Sequence, residues 1–342
     1  MASSSSRAPL AVVGEGWRRV VAFPAGLLAL VAATALVAAP AAAALQAAIE
    51  RSLGASLTAR DVAAGVDLTW WQEFASEGSP GRSFTPAIAG GAAPVRTYSE
   101  LLDGYGPPPE AAPAILGGLL AWLFLSGGLL DRYARRRRVG TRAFFGACGV
   151  FFFRFARLGV ITAAAYALLL GPVHGLLFDG VYVWLTRDTT VERTALLWRL
   201  LLYAVWLLPL LLVNLVADYA KVRAVVEDRH SMAGALAAAA RFVARHPGPV
   251  AAVYLVNAAI AGAVLAVYVL LAPGGHGGDW RLLAALAGGG AYLAARLATR
   301  LAFLTSAMTL FERSFAHAGY TAPPLPVWPD SPAAEALDNL RR

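Results

Sequence analysis

Asn214, Asp218, Asn257, Arg296 and Arg300 are polar residues set in or beside long apolar runs, and they are the first place to look for chemistry. A polar side chain at membrane depth costs free energy unless it is paired or wetted. Arg296 lies roughly 24 Å along a helix from Trp280, with Arg300 one turn further on the same face. Two arrangements are open. The arginines can snorkel to lipid headgroups, or they can face inward, with Asp218 paired to Arg300 or Arg296 and with Asn214 and Asn257 completing hydrogen bonds between spans. An inward cluster could simply join helices, or it could hold a lipid phosphate or a carboxylate.

Other candidates are more isolated. His174, between Pro172 and Gly175, has the chemistry of a proton relay or of a solvated interfacial histidine. Trp70 and Trp71 are interfacial anchors, core of a small extramembrane unit, or a stacking platform for a ligand. Gly288, Gly289, Gly290, Ala294 and Ala295 suit close helix contact. The five histidines are scattered singly, and Cys148, the one cysteine, excludes an intrachain disulfide and a cysteine metal cluster. The sequence carries no P-loop, nucleophile elbow, zinc signature or pair of intramembrane aspartates. It therefore nominates no catalytic, cofactor or metal residue. The reading is a non-enzymatic membrane scaffold or partner subunit, with a carrier or lipid-handling protein as the alternative.

The elements that must position these residues are membrane spans. The chain is 58% hydrophobic and only 15% charged, with mean hydropathy +0.59, which is far to the apolar side of soluble domains. The predicted architecture is an all-α integral membrane protein, a six-helix bundle of three hairpins. Spans are expected at about 20–48, 111–130, 158–178, 196–217, 249–272 and 281–311, each long enough for a hydrocarbon core of about 30 Å. Residues 1–16 read as a mobile leader and 321–342 as a Pro-rich tail, with a short helix expected at Pro332 to Leu340. Span one resembles a signal peptide, but its run exceeds a usual apolar core of about 7–15 residues, so retention is expected.

Between spans one and two, residues 49–110 form a hydrophilic insertion. The stretch from Glu50 to Glu110 carries eight acidic residues against four arginines. Short helices around Asp61, around Asp67 to Phe74 and over Ser99 to Asp103 predict a small helical cap. Interfacial elbow helices are expected at Phe144 to Phe155 and at Ser231 to Arg245, with Trp17 to Val21 as a truncated first one. The order Gly146, Ala147, Ala156, Arg157, Ala163, Ala164, Tyr166 returns about 88 residues later as Gly234, Ala235, Ala244, Arg245, Ala251, Ala252, Tyr254. This spacing predicts a duplicated unit.

The 29 lysines and arginines divide 21 to 8 between alternate sides of the spans. By the positive-inside rule this places both termini in the cytoplasm, in a bacterial inner membrane with the cap outside. The net charge of +8 follows this topology, so nucleic acid is not the expected partner. The bilayer is, with an anionic lipid or a second membrane protein as further candidates.

Hairpins introduced by amphipathic segments, and Tyr219 to Arg229 leading into Ser231 to Gly248, resemble uncharacterised bacterial six-span proteins. They also resemble the membrane domain attached to some glycerophosphodiester phosphodiesterases. The likeness covers about Asp131 to Phe311. It implies a membrane bundle and no activity, because the catalytic barrel of those enzymes is missing from this sequence.

Overall fold

The computed structural model describes residues 7–54, 56–64, 68–76, 92–106, 111–136, 140–272 and 279–317, and within them the chain is helical apart from short turns. The expected tail 321–342, with its helix, and residues 1–6 lie outside the described residues.

Helix α1, Arg7–Val21, precedes the first span, so ten residues of the stretch expected to be mobile, 7–16, are helical. Val12, Val13, Gly16, Arg19 and Val20 are its buried positions, a spacing of three and four that gives the helix one inward face. Gly16 permits the contact with the last span. A Cβ there would lie 2.4 Å from Ser306 Oγ, and Thr305 Oγ1 donates to the Gly16 carbonyl at 3.0 Å.

Pro24 then opens the first span, α2, Pro24–Leu53. The cap follows as α3, Ala59–Ala64, α4, Leu68–Ser76, and α5, Ala92–Leu102. Trp70 and Phe74 are buried with Leu45 and Ala48 of α2, and the Trp70 and Phe74 rings stack at 4.9 Å. Trp70 is thus core of a small cluster. Helix α5 is longer than the expected Ser99 to Asp103, and its end is fastened to two spans, as described below.

The remaining spans are α6, Ala112–Arg135, a third span beginning with α7, Thr141–Leu168, then α9, Glu192–Val226, α11, Pro247–Leu271, and α12, Asp279–His317. Among the described residues, six helices are long and apolar enough to cross a membrane. The third continues from α7 through π-helical turns at Leu169–Val173 and Leu176–Val181 into α8, Tyr182–Thr186. Pro172 cannot donate to the ladder there, and Trp206 Nε1 donates to the Leu169 carbonyl at 2.7 Å.

This long helix overturns one expectation. Phe144 to Phe155 is not a separate elbow but the first part of the third span. It crosses α6 at two glycines, where a Cβ on Gly128 would sit 2.5 Å from Cys148 Sγ and one on Gly127 2.8 Å from Phe151 Cβ. The stretch has no proline, and Gly146 and Gly149 are set among apolar residues that pack on α6, so nothing ends the helix before Leu158. Its supposed counterpart does stop. Helix α10, Met232–Arg245, is capped by Ser231 Oγ, which accepts from Gly234 N at 3.2 Å, and it ends at His246 before Pro247. One half of the supposed duplication is a continuous span and the other a break between two helices, so the repeat fails. The separate amphipathic helices are α1 and α10.

Candidate functional site

Asp218 stands on α9, one turn after Asn214 and three residues before Lys221, so all three share a helix face. α12 brings Arg300 to that face. Its two terminal nitrogens reach the two carboxylate oxygens of Asp218 at 3.1 and 3.2 Å, a fork-to-fork pair across 82 positions of sequence. Lys221 Nζ donates to the same carboxylate at 3.2 Å. Asp218 is 3% exposed and Lys221 7%. Trp122 of α6 completes the cluster, lying under the Arg300 guanidinium at 5.6 Å.

The other expected members divide. Asn214 does bond between spans, donating to Tyr254 Oη of α11 at 2.9 Å. Asn257 does not. Its Nδ2 donates to the Val253 carbonyl of its own helix at 3.1 Å, and its buried Oδ1 has no hydrogen-bond partner among the described residues. It borders, with Asp218, Tyr219 and Tyr254, a void of about 10 Å³, room for about one water. Arg296 lies outside the cluster. It is exposed and borders a separate space of about 170 Å³, shared with Tyr98 of α5, Tyr292 and Thr299.

Lys221, Trp122 and Tyr254 are members of the site that the sequence reading does not name as such. Lys221 had a signal, its i,i+3 spacing from Asp218; the other two had none. Thr305 is buried against α1 and takes no part in the cluster. His174 is neither solvated nor exposed. It is 8% exposed, its Nε2 lies 3.0 Å from the Leu102 carbonyl, and its ring packs on Phe178 and Trp206. With Asp103 paired to Arg199 of α9 at 2.8 Å, it fastens the end of α5 to the third and fourth spans.

A second set of charges gathers where α1, α6 and α12 end. Glu312 accepts from Arg19 at 2.7 Å and from Arg136 at 2.9 Å, joining three helices through one carboxylate. Arg223 donates to the Ala238 carbonyl of α10 at 2.7 Å while paired with Glu227, and Arg154 of α7 reaches Asp228 at 2.6 Å. This is the basic end of the bundle.

These clusters can hold helices in register; the Asp218 group has no nucleophile aimed at an open space. Comparison with protein-family models, with curated proteins and with solved structures finds no match to this chain.

Proposed function

We propose that the protein is a non-enzymatic membrane scaffold or partner subunit, embedded by six spans, with the basic end in the cytoplasm and the cap outside. The closure of the Asp218 cluster carries this reading. Both carboxylate oxygens are taken by Arg300 and Lys221, and the adjoining void of about 10 Å³ leaves no room for a substrate. The likeness to membrane domains of some phosphodiesterases fits, since it covers the last four of the six spans and brings no catalytic residue. The excess of arginine at the basic end supports the orientation. With Cys148 replaced by Ser, a cysteine at Asp188 should label from outside the cell and one at Arg245 only after permeabilisation. The reverse pattern would overturn the orientation.

One observation favours a carrier instead. Arg296 has no ion pair among the described residues and borders the 170 Å³ space under Tyr98, where an anion could enter from the cap side. Proteoliposomes of the full chain decide between the two. The scaffold reading expects anion efflux and lipid exchange equal to empty vesicles, with Arg296→Gln unchanged. Flux that Arg296→Gln abolishes would establish the carrier in its place.

A further inference from the structure

Between α1 and the end of α6 lies an open pocket of about 270 Å³, lined by Glu15, Arg18, Arg19, Phe23, Arg132, Tyr133 and Arg136. Four guanidinium groups converge on it. Glu15 pairs with Arg18, and Glu312 is shared by Arg19 and Arg136. Two positive charges are left over. Arg132 makes no ion pair among the described residues; its guanidinium rests over the Phe23 ring at 5.4 Å. One buried polar atom on the pocket's lining residues, the Tyr133 hydroxyl, has no hydrogen-bond partner among the described residues, and Arg19 Nε faces a Glu15 carboxylate oxygen only at 3.8 Å. Tyr133 is 4% exposed and Arg19 7%. Buried donors without acceptors are costly unless something fills the role.

The pocket's depth narrows the ligand. Phe23 and Ala22 stand immediately before Pro24, where the first span begins, and Arg132 to Arg136 close the second span. The pocket therefore sits at the junction of apolar helix and polar surface, the level of lipid headgroups. Arginine forks suit phosphate oxygens, and the adjacent apolar Phe23 and Ala22 suit the start of an acyl chain.

We propose that this pocket binds the phosphate of an anionic phospholipid, with Arg132 as its charge partner and the Tyr133 hydroxyl as a neutral donor. It is independent of the scaffold reading, since the pocket shares no residue with the Asp218 cluster.

The test uses the purified full chain in nanodiscs of phosphatidylcholine with a small fraction of phosphatidic acid, and native mass spectrometry to count retained lipid. Wild type should retain phosphatidic acid over phosphatidylcholine. Arg132→Gln should weaken that retention about tenfold, the loss of one charge-assisted contact, and Tyr133→Phe should weaken it less. Arg296→Gln should retain it as wild type does. Arg132 has no counter-charge among the described residues, so its variant should fold, and an unchanged melting curve in phosphatidylcholine alone checks this. Equal retention by wild type, Arg132→Gln and Tyr133→Phe would overturn the proposal. A parallel arm adds inorganic phosphate in detergent. Arg132-dependent stabilisation by phosphate matching that by the lipid would overturn the lipid as the source.

Discussion

At the basic end, every described residue of α12 from Ala298 to Phe311 is buried except Arg300 and Phe303, and Ala217 to Val222 of α9 are buried beside them. At the cap end the same helices are bare. α12 has no buried residue from 280 to 297, α11 has none beyond Asn257, and α9 has only Leu202 and Trp206 before Ala217. Close packing and buried ion pairs hold one end. The other relies on α5 and three polar contacts, through His174, Arg199 and Trp206. The bundle is thus rigid where its charges are buried and adaptable where its surface is leucine, which a bilayer covers without cost. Interfaces within a membrane gain little from hydrophobicity itself, so small residues and paired polar groups decide where helices meet.

Breaking the basic end should therefore cost most. Asp218→Asn leaves Arg300 and Lys221 facing each other without a counter-charge, and unfolding in detergent should show a loss of about 3 kcal/mol. Gly16→Leu drives a side chain into the Ser306 backbone and should separate α1 from α12 at a cost of about 1–3 kcal/mol, seen as new protease cleavage before Pro24. At the cap end Trp206→Phe, which frees the Leu169 carbonyl, should cost about 1 kcal/mol. His174→Ala should barely move global stability, yet speed hydrogen exchange in α5. An equal loss from Asp218→Asn and His174→Ala would erase the distinction between the ends.

Much of the frame was legible from the sequence, because span length and hydropathy depend on composition alone. An all-α bundle with six apolar spans was expected, and Asp218 with Arg300 was among the pairs considered. What the sequence hid was long-range. Phe144 to Phe155 and Ser231 to Arg245 share residue types, but only the second has a capping serine before it and a Pro247 after it, and those few residues decide between one helix and two. The amphipathic face of α1 was visible in Val12, Val13, Gly16 and Val20 yet masked by the serines before it. Arg296 and Arg300 look equivalent by spacing; which of them meets Asp218 depends on the rotation of α12 against α9. No local pattern records that angle.

The central claim is that the Asp218 cluster is a closed structural joint, and a double-mutant cycle tests it most directly. Asp218→Asn, Arg300→Gln and their combination are compared by equilibrium unfolding in detergent. The account predicts that the double variant is more stable than the two separate losses would give when added, by about 1–3 kcal/mol, with no change in lipid or anion binding. Strictly additive losses would contradict it, and so would an Arg300→Gln protein of full stability that no longer holds an anion.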